Sequence, residues 1–123
     1  MKRHEQREKA MITVYQYLLV KRDLEELEKD TFGEEEIDPY IQKLMETSIE
    51  NIERYSGYIN QVLKGWTFDR LGCIEQAILL NGCAEFDMKE TEAAVIIDES
   101  VRLAKKYCDS DTYKLINSVL DII

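Results

Sequence analysis

The chain has 123 residues and a formal net charge of −9, which is the size of one domain that can bury a core without disulfides or metals. No apolar run reaches the ~18–20 residues that a membrane span needs, and the charged N-terminus does not fit a secretory signal. The three cysteines lack C-x-x-C spacing, which disfavours a zinc site or a disulfide framework. We therefore expect a reduced, cytoplasmic protein.

An all-α fold is predicted, because one proline and five glycines leave few breaks and no segment alternates as a strand would. The first helix is predicted over 3–20, where Ala10, Val14 and Leu18 form a core-facing stripe. Arg3 and Arg7 lie in line with this stripe. Since arginines are rarely buried, we expect this end of the helix to project beyond the body of the protein.

The acidic charge is confined to one segment, 23–38, which holds nine acidic residues and one lysine, a local balance of −8. The rest of the chain is therefore about −1 (−9 minus −8), and residues 2–9 carry a balance of +2. The net charge does not exclude a nucleic-acid partner for the basic end. The acidic segment is predicted to form a short helix and then a loop.

The middle of the chain contains a strong helix start at Asp38-Pro39, with a possible break or bend at Gly57. A boundary at 65–67 would divide the single domain 1–123 into an N-terminal half, 1–65, and a C-terminal half, 66–123. Trp66 and Phe86 are predicted to anchor the core rather than to stack on a ligand.

Three helices are predicted in the C-terminal half. Thr67 or Asp69 can cap the first, and a variant capping box formed by Asp87 and Glu90 can begin the second, which is clearly amphipathic from 93 to 104. The pair 109–110 can cap the last helix. Its inner face is expected to comprise Ile116, Val119, Leu120 and Ile123.

Catalytic chemistry is not expected. One histidine, no glycine-rich phosphate loop, no nucleophile elbow and no paired-histidine motif leave little basis for an enzyme, a cofactor or a metal. The neighbours Asp98 and Glu99 fit a solvated helix face better than an acid–base pair. Glu85 and Glu99 are expected to make buried or interhelical hydrogen bonds.

Two stretches carry a family resemblance. They are Arg3-His4-Glu5-Gln6-Arg7-Glu8-Lys9-Ala10 with Val14-Tyr15-Gln16, and a C-terminal series that includes Ala77-Ile78-Leu79, Val95-Ile96-Ile97-Asp98-Glu99-Ser100-Val101 and Asp111-Thr112-Tyr113-Lys114-Leu115-Ile116-Asn117-Ser118-Val119-Leu120-Asp121. Through these residues the chain resembles the NusB family of bacterial transcription antitermination factors. The resemblance extends over essentially the whole chain.

The resemblance implies a NusB-like all-α fold of about seven helices in two small packed bundles. It also implies a cytoplasmic RNA-binding protein without cofactor, which acts with the ribosomal protein NusE in the transcription elongation complex. The expected RNA is the single-stranded boxA element, chiefly of ribosomal RNA operons. Some family members form homodimers, so a homodimer is possible.

Carried over by position, the resemblance implies a set of RNA-binding residues and one residue, Glu75, near the border with the partner protein. The RNA-binding set is Arg3, His4, Arg7, Tyr15, Asp111, Lys114 and Leu115. Arginine forks fit phosphate oxygens, and a tyrosine can stack on an unpaired base. About four phosphate contacts would give a salt slope of roughly −3 for a single strand.

Several positions depart from the family pattern, and they keep alternatives open. They are His4 for arginine, Gln6 for alanine, Ile12 for glutamine, Leu80 for arginine, Asp98 for asparagine, Leu115 for phenylalanine and Ser118 for glycine. One alternative is therefore a protein-only interaction module with weakened RNA binding. A NusB-like domain also precedes the catalytic domain of certain ribosomal RNA methyltransferases, but 123 residues leave no room for a methyl-donor domain.

Overall fold

A computed structural model describes residues 2–123, which form seven α-helices, a 3-10 turn at Phe68–Arg70 and no strand. The helices are α1 (Arg3–Val20), α2 (Leu24–Phe32), α3 (Pro39–Glu50), α4 (Ile52–Val62), α5 (Cys73–Met88), α6 (Ala93–Tyr107) and α7 (Thr112–Ile122). The all-α prediction is confirmed, and α1 has the predicted bounds. None of the described helices combines the length and the apolar character needed to cross a bilayer.

The centre of the molecule is α5, whose residues 77–85 are all buried. It packs against α1, α3 and α4, which precede it in the chain, and against α6 and α7, which follow it. Both halves of the chain therefore contribute to one core. The helix packs closely on α7 at Gly82, where an added Cβ would lie 2.9 Å from a methyl carbon of Leu120. Leu80, at a family arginine position, is fully buried here.

The N-terminal half begins as predicted, with the acidic segment forming α2 and then a loop that starts at Gly33. Asp38 caps α3, since its Oδ1 accepts a hydrogen bond of 2.8 Å from the backbone N–H of Tyr40, with Pro39 at the first helical position. The break expected at Gly57 is wrong. The helix breaks at Asn51 instead, where φ is −121° and the side-chain amide donates to the carbonyl of Thr47 at 2.8 Å.

Two predicted caps in the C-terminal half are wrong. Thr67 donates to Asp69 beside the 3-10 turn, and α5 begins after Gly72. Asp87 does not start α6, because α5 continues through it to Met88. Its carboxylate instead accepts a hydrogen bond of 2.7 Å from the hydroxyl of Tyr55 on α4.

The start of α7 and the place of one core anchor also differ from prediction. Asp111 immediately precedes α7, rather than the pair 109–110, and it makes no side-chain cap. Trp66 is half exposed, and Phe68, only 6% exposed, takes the core position two residues later. Phe86 packs partly buried against the core, as expected. The three cysteines are free, and burial raises the pKa of Cys83 to about 12.

Two glycine-to-alanine substitutions should change the free energy of unfolding in opposite directions. Gly57→Ala should raise the free energy of unfolding by about 0.5–1 kcal/mol, because alanine favours a helix and nothing lies within 4 Å of the new methyl. Gly82→Ala gains the same propensity but must displace Leu120, which costs about 1–3 kcal/mol. Urea unfolding of both variants checks the difference, and equal stabilisation would contradict the close packing of α5 on α7.

Candidate nucleic-acid interface

The two arginines at the start of α1 have different environments. The side chain of Arg7 is only 8% exposed, and its Nη2 donates to Glu85 Oε1 at 2.8 Å while its Nε lies 3.1 Å from both carboxylate oxygens. The expectation that this end projects beyond the body is therefore wrong for Arg7. The physical reason is that α5 places a carboxylate opposite it, which compensates the buried charge.

The Arg7–Glu85 ion pair is part of a buried network. The hydroxyl of Tyr40 on α3 donates to Glu85 Oε1 at 2.6 Å and lies 2.6 Å from the hydroxyl of Thr91. Burial, followed by the bond to Glu85, raises the pKa of Tyr40. Burial alone would lower the pKa of Arg7, but the bonds to Glu85 raise it. The interhelical role expected of Glu85 is confirmed.

Arg3 remains at the surface, with 48% of its side chain exposed. Its guanidinium carbon lies 4.4 Å from the centre of the Tyr40 ring, and its Nε donates to Asp38 Oδ2 at 3.3 Å. A stacked guanidinium keeps its outer N–H groups free for an acceptor. Of the two predicted arginine contacts, Arg3 is thus the one presented to solvent.

The α1–α6 seam, which we define as His4 and Glu8 on α1 with Arg102, Lys106 and Tyr107 on α6, is held by charged contacts. The exposed His4 contributes its backbone carbonyl, which accepts from Arg102 Nη2 at 3.0 Å. The Glu8 carboxylate accepts from Lys106 Nζ at 2.7 Å, from the Tyr107 hydroxyl and from Arg102 Nη1 at 3.5 Å.

Titration of two groups in the seam reflects these contacts. The hydrogen bonds from Lys106 and Tyr107 hold the pKa of Glu8 below its ordinary value of 4.5, although partial burial opposes the shift. The hydrogen bond between Tyr107 and Glu8, followed by burial, raises the pKa of Tyr107 to about 12. Glu8 is therefore ionised at neutral pH and Tyr107 is a hydrogen-bond donor.

Tyr15 and Glu75 meet in one open cleft of about 310 Å³ between α1, the start of α5 and the end of α6. The other lining residues are Gly72, Cys73, Ile74, Tyr107, Cys108 and Asp109. The structure thus brings together a predicted RNA-stacking residue and the predicted border residue, which are 60 positions apart in the chain.

The remaining predicted residues lie at the start of α7. Asp111 and Lys114 are exposed and form an ion pair of 3.4 Å between Oδ1 and Nζ. Leu115 is partly buried against the core, so its side chain contributes to packing. The exposed Asp98 fits its predicted solvated face.

Sequence reasoning did not select Arg102, Lys106 or Tyr107, although all three lie along α1 between His4 and Tyr15. A signal was present, because 102 and 106 are four residues apart and fall on one face of the predicted helix over 93–104 and its extension. Within residues 2–123, no group of three or more histidine, cysteine or acidic side chains could hold a metal ion.

Removing one partner of the buried ion pair should be costly. We expect Arg7→Met to lower the free energy of unfolding by about 3–5 kcal/mol, because the buried Glu85 would lose its ion-pair partner. The double variant Arg7→Met/Glu85→Gln should recover part of that loss. A double-mutant cycle measured by chemical denaturation checks this coupling, and additive effects of the two substitutions would contradict it.

The stabilising effect of Glu8 should depend on pH. Because its folded pKa is lowered, its contribution is present above 4.5 and is lost as the pH falls through the folded value. Glu8→Gln should therefore be less stable than the wild type at pH 7, and the difference should shrink in acid. Thermal melts of both proteins from pH 7 downward measure this, and a constant difference would rule out the titration of Glu8 as its cause.

Comparison with known proteins identifies the family. The sequence profile of the NusB family matches residues 4–123. Transcription antitermination protein NusB of Exiguobacterium sp. strain AT1b is 39% identical over 121 residues, which cover 98% of this chain and 94% of that protein.

A crystal structure of antitermination factors NusB and NusE in complex with double-stranded RNA matches with a TM-score of 0.85 at 31% identity, covering 99% of this chain and 96% of that chain. A NusB structure from T. maritima shares the fold, with a TM-score of 0.89 at 23% identity over 99% of this chain and 89% of that one. The chain belongs to the NusB family.

Proposed function

We propose that this protein binds single-stranded boxA RNA together with NusE and acts as an antitermination factor on ribosomal RNA operons. The observation that carries the proposal is the shared cleft of Tyr15 and Glu75, which joins a ring able to stack on a base to the predicted border with the partner. The crystal structure of NusB and NusE in complex with double-stranded RNA, whose matching chain is 31% identical, supports NusE and RNA as the partners. A role on nascent RNA places the protein in the cytoplasmic elongation complex.

The predicted RNA-binding residues divide into two roles. Arg3, His4 and Lys114 are exposed, so they can reach phosphate oxygens without rearrangement. Arg7 would have to leave Glu85 before it could reach an RNA strand, and that would leave a buried carboxylate unpaired. We therefore assign Arg7 a supporting role, in which it fixes the start of α1 and the ring on which Arg3 stacks.

The direct test is a fluorescence-anisotropy titration with boxA RNA, scrambled single-stranded RNA and double-stranded RNA, each with and without NusE. We expect the tightest binding for boxA with NusE, because a partner with its own RNA contacts raises affinity through linked binding. Sedimentation of the free protein alongside the titration would identify a homodimer. Equal binding of boxA and scrambled RNA in the presence of NusE would refute the proposal.

Substitution of Tyr15 tests the stacking role. Tyr15→Ala should weaken boxA binding by about 1–3 kcal/mol, the usual contribution of one stacked base. Tyr58→Ala is the matched control, because Tyr58 is an exposed tyrosine on α4 and is not part of this surface. Circular dichroism confirms that both variants fold, and equal RNA affinities for the two would exclude base stacking on Tyr15.

A second candidate is a helical module that binds NusE but has little affinity for RNA. This candidate is favoured by the burial of Arg7 and Leu80 and by the partial burial of Leu115. Burial withdraws these three side chains from direct contact with RNA. In this case Arg3→Ala would leave NusE binding intact, and RNA would not change the affinity for NusE. Linked binding of RNA and NusE would reject it.

A further inference from the structure

The seam between α1 and α6 lies on the path between two predicted RNA contacts. His4, Glu8 and Tyr15 share one face of α1, because steps of four and seven residues return to nearly the same angle on a helix. His4 and Tyr15 are 11 residues apart, which is about 16 Å along the helix axis. One RNA strand that touched both would have its backbone over the seam.

The hydrogen-bond donors of the seam already bind an anion. Lys106, Tyr107 and Arg102 all direct donors to the carboxylate of Glu8. The carboxylate is the inner member of the group, with 18% of its side chain exposed, whereas Arg102 and Lys106 are 35% and 55% exposed. The two cations therefore retain N–H groups on the solvent side, where a second anion can approach.

We propose that Arg102 and Lys106 form a phosphodiester-binding site for the RNA strand between His4 and Tyr15. Glu8 is the internal anion that both cations share, and it offsets part of their charge. Glu99, whose Oε2 accepts a hydrogen bond of 3.3 Å from Arg102 Nε, offsets a further part of the charge of Arg102. The RNA ligand rests on the proposed function, whereas the site itself rests on the geometry of the seam.

The burial of Arg7 changes which cations can contact phosphate. Burial of Arg7 removes one of the expected phosphate contacts from the surface. Arg102 and Lys106, together with Arg3 and Lys114, bring the set of permanently charged side chains to four. Four phosphate contacts correspond to a salt slope of about −3 for single-stranded RNA.

A purely structural role for the seam makes a different prediction. If Arg102 and Lys106 only tie α6 to α1, their removal lowers stability and leaves the salt dependence of RNA binding unchanged. A phosphate contact changes that dependence, because each neutralised phosphate releases its counterions. The slope of log K against log salt therefore separates the two roles.

The experiment measures this slope for the wild type, Lys106→Ala, Arg102→Gln and Glu8→Gln, each with boxA RNA and with oligouridine. Lys29→Ala and Glu25→Gln on α2 are the charge-matched controls. We expect the slope to become shallower by about 0.7 in each cation variant, with a several-fold loss of affinity near 0.1 M salt. Glu8→Gln keeps a side-chain oxygen that can accept hydrogen bonds from Lys106 and Tyr107, and it should bind RNA more tightly because it adds one net positive charge to the seam.

The outcomes separate this inference from the proposed function. A shallower salt slope for Lys106→Ala and Arg102→Gln with oligouridine supports the phosphate site, even if the protein shows no preference for boxA over scrambled RNA. Unchanged slopes in the Lys106 and Arg102 variants overturn the site even if boxA binding with NusE is confirmed. A wild-type protein that binds neither RNA overturns both, and Lys106→Ala, a change at a largely exposed side chain, guards against loss of folding as the cause.

Discussion

The buried ion pair between Arg7 and Glu85 is the interaction on which the candidate surface depends. It joins α1 to α5, and the hydroxyl of Tyr40 attaches α3 to the same carboxylate. The ring of Tyr40 then supports the exposed guanidinium of Arg3. A charge inside the protein thus fixes the direction of a charge on its surface, although the two arginines are only four residues apart.

The acidic segment has a structural role in addition to its electrostatic one. Glu35 accepts a hydrogen bond of 2.7 Å from Lys9, and that bond, followed by one from Gln6, lowers the pKa of Glu35. Asp38 both caps α3 and pairs with Arg3. Part of the negative charge therefore holds the loop after α2 against α1.

The fold was largely predictable because its signals are local. The apolar stripe of α1 and the Asp38-Pro39 start depend on residues within one or two helical turns, and both were correct. The main failure at the site has a long-range cause, because Arg7 was expected outside and its partner lies 78 positions away. Other failures are choices between close neighbours: Phe68 fills the core rather than Trp66, and the helix breaks at Asn51 rather than at Gly57.

The candidate site was predictable only in part for the same reason. The family pattern selected Tyr15 and Glu75, and the structure brings them into one cleft. It did not select Arg102 or Lys106, because neither position belongs to the RNA-binding set that the resemblance implied. Their place beside α1 depends on how α6 packs, which no short stretch of sequence encodes.

The central position of α5 has a consequence for the folding reaction. Helices such as α6 and α7 are neighbours in sequence, so their contacts close short loops and can form early. The contact of Arg7 on α1 with Glu85 on α5 joins residues 78 positions apart, more than half the chain, and the entropy cost of closing that loop must be met before the core is complete. The transition state for folding should therefore contain the C-terminal helices first, with α1 docking late. The surface that carries the basic groups would then be the last part of the protein to assemble.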